Sequence, residues 1–77
     1  MPHRINLIAH YEGRVLDTAA YEVEGGAKLA WQLARRAGAR VPTLVKIENR
    51  ERVYPSVAAA HAASIAALKL SIDGGFA

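Results

Sequence analysis

Apolar and polar residues alternate along the first third of the chain, on both sides of Glu12-Gly13. Before the turn, every second position is occupied by Ile5, Leu7, Ala9 and Tyr11. After the turn, the corresponding set consists of every second residue from Val15 to Val23. A period of two is typical of β-strands, and glycine permits the positive φ of a tight turn. The pattern predicts a β-hairpin over residues 4–24. One alternative stays open, because Asp17 or Thr18 is also a suitable N-cap for a short helix.

The spacing of apolar residues changes after Gly25-Gly26. Over residues 26–37 they fall on one broad side of a helical wheel, and Trp31 lies at its margin. The polar side carries Lys28, Gln32, Arg35 and Arg36. Because Gly38 is a typical helix terminator, we predict a helix over residues 26–37.

A second hairpin and a second helix are predicted in the remaining chain. Residues 41–54 alternate around a polar turn at 48–51, and Pro42 suits a strand start or an edge. Ser56 is well placed as the N-cap of a helix over residues 56–72, which Gly74-Gly75 ends.

His61 lies in the apolar stripe of this second helix, whose other members are Val57, Ile65, Leu68 and Ile72. No carboxylate or second histidine stands three or four positions further along, so the pattern does not indicate a metal or catalytic site. We expect a packed imidazole with one nitrogen bonded to a backbone or tyrosine oxygen.

The predicted elements describe an α+β fold in a small single domain, residues 1–77. Their order is β-β-α-β-β-α, and the fold is an antiparallel sheet with two helices packed on one face. Such a sheet leaves an edge strand free, which makes a second copy of the chain a candidate partner.

Composition limits the classes of protein. The chain has 77 residues and no cysteine, which excludes disulfides and thiolate metal sites. No apolar run reaches the roughly 18 residues of a membrane span. We therefore expect a cytoplasmic protein without cofactor or metal, and no catalytic set indicates an enzyme.

The positive charge is concentrated in the middle of the chain. Residues 28–52 hold seven basic and two acidic residues, whereas residues 1–27 hold two basic and four acidic ones. The leading hypothesis is a non-enzymatic protein that contacts an acidic surface of a larger protein or complex, in the size class of phage and mobile-element inhibitors and adaptors such as anti-CRISPR proteins. The expected partner-binding residues are Lys28, Trp31, Gln32, Arg35, Arg36, Arg40, Arg50 and Arg52.

Nucleic-acid binding is the alternative, through a basic band of Lys28, Arg35, Arg36 and Arg40. The two hypotheses differ in salt dependence, because a protein that binds phosphates releases counterions.

The segment RVYPSVAAAHAAS, residues 52–64, resembles a short stretch of small modules found in homing endonucleases and phage proteins. In those modules a strand leads through a Y-x-S stretch into an alanine-rich helix. The resemblance implies a strand followed by a helix at this point, and we carry no function across from it.

Overall fold

The computed structural model describes residues 3–76 as a four-stranded antiparallel sheet and one helix. The strands lie side by side in chain order, and the helix packs across one face of the sheet. The elements are β1 (Arg4–Tyr11), β2 (Arg14–Val23), β3 (Gly26–Arg36), β4 (Thr43–Leu44) and α1 (Val57–Asp73). The α+β class agrees with the sequence prediction, whereas the two helices and the β-β-α-β-β-α order are wrong.

The first hairpin forms as predicted. Tyr11 pairs with Arg14, and the two residues between them, Glu12 and Gly13, have φ of 49° and 73°. Two consecutive positive φ angles are typical of the type I′ turn that joins twisted strands. Asp17 lies within β2, so the alternative of a short helix that begins there is wrong. Its carboxylate accepts a hydrogen bond from Asn6 Nδ2 on β1 at 3.0 Å.

The helix predicted over residues 26–37 is wrong, because this segment is β3, an inner strand with one β-bulge. Ala20 pairs with Leu29 but its neighbour Ala19 pairs with Trp31, so Ala30 is an extra residue. The bulge shifts the alternation by one position. The buried positions are therefore Ala27, Leu29, Gln32 and Ala34. In the sequence, the residues before and after the bulge form two alternating runs that are offset by one position. Together their apolar residues have a spacing similar to that of an amphipathic helix.

Tertiary pairing overrides the helix propensity of β3, which is rich in alanine, leucine and arginine. If β3 were a helix, β1 and β2 would form a two-stranded ribbon, which is marginal in water. As a strand, β3 pairs with β2 at ten positions and provides partners for its backbone hydrogen-bonding groups. It also supplies part of the surface on which α1 packs.

The second predicted hairpin is also wrong. Only Thr43 and Leu44 form a strand there, paired with β3. Further along, Tyr54 makes one isolated bridge: Ala27 N–H donates to Tyr54 O at 2.9 Å, and Tyr54 N–H donates to Ala27 O at 2.7 Å. The segment between these contacts runs along the edge of β3 as an irregular loop.

The second predicted helix is confirmed as α1, with each bound displaced by one residue. Ser56 is its N-cap, and the Oγ atom accepts a hydrogen bond from the Ala59 N–H at 3.1 Å. At the other end Gly75 takes a φ of 82°, and the Phe76 N–H donates to Ser71 O at 2.8 Å. A left-handed glycine with this bond is typical of a Schellman motif.

Replacing Ser56 with alanine is expected to lower the free energy of unfolding by about 1 kcal/mol, because the Ala59 N–H loses its acceptor. Urea denaturation followed by circular dichroism measures the change. Ser71→Ala on the same helix is the matched control and should leave stability nearly unchanged. Equal effects of the two substitutions would contradict the capping role.

A polar layer divides the core between the sheet and α1. Paired residues Thr18 and Gln32 lie between an apolar row at Ala20 and Leu29 and another that contains Leu16. The helix side of the layer consists of buried polar residues, His61 and Ser64. Ser64 Oγ donates to Gln32 Oε1 at 2.7 Å, and Gln32 Nε2 donates to Lys46 O at 3.2 Å. These bonds fix the helix over β3.

His61 is buried as predicted, with 6% of its surface exposed. Its Nε2 lies 2.9 Å from Ile5 O. A carbonyl oxygen only accepts hydrogen bonds, so Nε2 carries the proton and donates. The histidine thereby connects the helix to the outer strand of the sheet.

The end of α1 is held to the end of β1 by Tyr11. Its hydroxyl donates to Asp73 Oδ1 at 2.9 Å, and Lys69 Nζ lies 5.2 Å from the centre of its ring. The hydrogen bond to Asp73, followed by desolvation, raises the pKa of Tyr11 above its ordinary value. These contacts hold the C-terminal end of α1 against the sheet beside the β1–β2 turn.

Candidate binding surface

The sheet face opposite α1 is covered by no other helix or strand of residues 3–76. Strand alternation and register place there the side chains that point away from Leu16, Thr18 and Ala20. We call this surface the uncovered face. Its residues are Arg4, Asn6, Ile8, His10, Val15, Asp17, Ala19, Tyr21, Val23, Lys28, Trp31, Leu33, Arg35 and Leu44.

The bulge in β3 directs Trp31 onto the uncovered face. Trp31 lies opposite Ala19, which is fully buried although no helix covers this side. The guanidinium of Arg4 lies 5.3 Å from the centre of the indole ring, within the range of a cation–π contact. The indole Nε1 is buried and has no hydrogen-bond acceptor among residues 3–76.

Charge on the uncovered face is predominantly positive. Arg4, Lys28 and Arg35 lie on it, whereas Asp17 is the one carboxylate that the described strands place there. Asp17 already accepts the hydrogen bond from Asn6. Within residues 3–76, no ion pair joins Asp17 to the three cations.

Two of these cations also make contacts within the chain. Lys28 Nζ lies 3.1 Å from Glu51 Oε2 in an ion pair. Arg35 donates to Ala39 O at 2.9 Å. The Glu51 side is exposed, so water weakens the ion pair and Lys28 remains available for exchange with another carboxylate.

Aliphatic side chains cross the middle of the uncovered face. Ile8, Leu33 and Leu44 lie in one cross-strand row, in which Asp17 stands between Ile8 and Leu33. Ile8 is 53% exposed and Leu44 is 70% exposed. Exposed apolar groups among cations suit a protein surface more than a phosphate backbone.

A pocket of about 390 Å³ opens where β4 ends beside β3. We call it the Trp31 pocket; its lining includes Trp31, Leu44, Lys46 and Arg50. The guanidinium of Arg50 is anchored there, since it donates to the bulge carbonyl, Ala30 O, at 2.9 Å. The pocket thus combines an aromatic wall with two cationic side chains, one of them held in place.

The structure separates the residues that the sequence grouped into one binding set. Lys28, Trp31 and Arg35 lie on the uncovered face, and Arg50 lines the Trp31 pocket. The prediction that Gln32 is a surface residue is wrong. Its side chain points toward α1, where it is 3% exposed and accepts a hydrogen bond from Ser64.

The other arginines of that set lie away from the Trp31 pocket. Arg36 and Arg40 are exposed at and beyond the end of β3. Arg52 stacks on Tyr54, with 4.7 Å between the guanidinium and the ring centre. The continuous helical band of the sequence prediction does not exist.

Sequence reasoning missed Arg4, Ile8 and Leu44 as surface residues of this region. The alternation of β1 places Arg4 and Ile8 on the same face of the strand. Because both faces of the hairpin carry apolar residues, the pattern does not indicate which face is buried. No local pattern indicates that Arg4 meets Trp31, because the contact depends on pairing across three strands.

No helix within residues 3–76 has the length and apolar character needed to cross a bilayer. In the same range, no three His, Cys, Asp or Glu side chains come together as metal ligands. Comparison with family models, curated proteins and solved structures finds no match to this chain.

Proposed function

We propose that this chain is a non-enzymatic binding protein whose uncovered face contacts an acidic surface of a larger protein. The Trp31 pocket takes a carboxylate side chain of the partner, and the neighbouring aliphatic row supplies apolar contact. The proposal places the protein in the cytoplasm, without a cofactor, among inhibitors or adaptors of the kind that phages and mobile elements encode.

The observation that carries this proposal is the composition of the Trp31 pocket. Lys46 and Arg50 supply positive charge at its lining, and the Arg50 guanidinium is fixed by its bond to the bulge. A fixed guanidinium loses less conformational entropy on binding a carboxylate than a mobile one. The indole beside it offers apolar area.

The test uses the chain's single tryptophan as its own reporter. A glutamate-rich peptide is titrated against the protein while the fluorescence of Trp31 is recorded. We expect a saturable change, whereas a lysine-rich peptide of equal length produces none. Lys46→Glu should weaken binding of the glutamate-rich peptide by about ten-fold, because it reverses one charge at the pocket.

Arg40→Glu is the matched control for this substitution. It makes the same change in net charge at an exposed residue outside the pocket lining. Its effect on peptide affinity should be much smaller than that of Lys46→Glu. Equal loss in both variants would show attraction to the net charge alone and would contradict a pocket.

Nucleic-acid binding is the second candidate, favoured by the three cations that surround Trp31 on the uncovered face. It predicts that a labelled duplex or single strand binds at low salt, and that affinity falls steeply as salt rises. Arg4→Glu combined with Arg35→Glu should abolish that binding. Tight duplex binding together with no response to the acidic peptide would replace the first proposal with this one.

A further inference from the structure

The outer strand β1 carries an unused pairing edge. It has eight residues and, within residues 3–76, pairs with β2 alone, whereas the opposite edge of the sheet is partly covered by β4 and the Tyr54 bridge. Tyr11 and Arg14 flank a type I′ turn, so Tyr11 points its backbone N–H and C=O toward β2. Alternation then directs outward the backbone groups of Arg4, Asn6, Ile8 and His10.

Natural sheets protect such edges, and β1 lacks the usual protection. Residues 5–9 contain no proline, no charged side chain and no bulge. Three of them, Ile5, Leu7 and Ile8, are large apolar residues with exposed surface. Apart from the His61 bond and the Tyr11 contacts, α1 packs mainly against β2 and β3. The edge is therefore long, and its central residues 5–9 are uncharged and mostly apolar.

We propose that β1 pairs antiparallel with β1 of a second copy, about a two-fold axis at Leu7. This register places each outward-pointing residue opposite another outward-pointing residue: Arg4 faces His10 of the partner subunit, and Asn6 faces Ile8 of the partner subunit. The two sheets become one sheet of eight strands. The proposal does not depend on the function of the Trp31 pocket.

Side-chain chemistry favours a second copy as the occupant of this edge. On the side of α1, Leu7 meets its own symmetry mate and Ile5 meets Ala9 of the partner subunit, so the exposed apolar groups cover one another. The two Arg4 side chains lie at opposite ends of the pairing, about 20 Å apart. No like charges are opposed, and the isologous contact closes after two copies.

The first experiment compares the dissociation constants of dimers by analytical ultracentrifugation, from low micromolar to near-millimolar concentration. The wild-type chain should show a monomer–dimer equilibrium. Ile8→Lys should raise the dissociation constant at least about ten-fold, since the two introduced lysines lie on diagonal positions about 7 Å apart. Leu44→Lys is the matched control, because it adds the same charge on the same face at the opposite edge and leaves the dimer intact.

The second experiment measures amide hydrogen exchange of the wild-type chain at low and high concentration, and needs no variant. Exchange should slow with concentration at alternate residues of β1, which are Asn6, Ile8 and His10. The N–H groups of Ile5, Leu7 and Ala9 should be protected at both concentrations. A chain that stays monomeric throughout overturns the proposal, and so does a dimer that protects α1 or β4 but not these three amides.

Discussion

Gly26→Ala is expected to unfold the chain or to leave it with a small fraction of its stability. A Cβ atom at this position would lie 1.8 Å from Tyr54 O, and the φ of 154° is one that residues with a side chain rarely adopt. The obstacle is backbone in the Ala27–Tyr54 bridge, so it cannot move aside as a side chain would. Relieving the overlap breaks the bridge and separates Tyr54 from the cluster of Ala20, Leu29 and Ile47.

Gly38→Ala is the control for Gly26→Ala. Gly38 also has a positive φ, of 81°, but a Cβ there meets no atom within 4 Å. This control should cost about 1 to 2 kcal/mol, from backbone strain alone. Thermal and urea unfolding of both variants, followed by Trp31 fluorescence and far-ultraviolet circular dichroism, give the comparison. Similar stabilities would show that the bridge yields easily and contributes little.

Leu68→Ala is expected to lower the free energy of unfolding by about 3 to 5 kcal/mol. Leu68 is fully buried and joins Leu16, Ala34 and Ile72 in the cluster at one end of the core. Ala34 is small, and Leu16 and Ile72 are held by β2 and α1, so the space left by the leucine cannot close. A chain of 77 residues has a total stability of about 4 to 12 kcal/mol, and the loss is therefore a large part of it.

Leu70 gives the matched comparison two residues further along α1. It is 73% exposed, so Leu70→Ala removes the same atoms from the surface and should change stability by less than about 0.5 kcal/mol. Urea denaturation measures both variants. A cost at Leu70 equal to that at Leu68 would mean that α1 packs through a different side.

The hairpin and the last helix could be predicted from sequence because their signals are local. The positive φ of a turn glycine, the Ser56 cap and the Gly75 terminator each act within a few residues. The stripe that includes His61 was also predictable, because α1 keeps one period over its whole length. Local chemistry and tertiary packing agree in these elements.

β3 could not be predicted in the same way, because its local signals disagree with its partners. The segment contains strong helix formers, and the bulge at Ala30 removes the strict alternation that identifies a strand. Its conformation is decided by β2 on one side and by Tyr54 and β4 on the other, which are far away in the sequence. The stretch between β4 and Tyr54 has the same difficulty, since an alternating pattern there does not form a hairpin.

The candidate surface was predictable in composition but not in geometry. Trp31 and several nearby cations were expected to contact a partner, and that expectation stays a prediction. Their arrangement on a helix was wrong, and Gln32 was assigned to the surface for that reason. The pocket depends on Arg50 reaching Ala30 O across twenty positions, a contact that no pattern in the sequence indicates.

The extra residue in β3 has a consequence for how this chain tolerates change in length. Before Ala30 the odd positions face the helix, and after it the even positions do. Loss of that single alanine would restore a regular strand in which the leucine before it still faces the helix, the tryptophan after it still faces away and the glutamine still faces inward. A chain one residue shorter at this point is therefore compatible with the same two faces, and what it loses is the local bend and the carbonyl that accepts the Arg50 guanidinium.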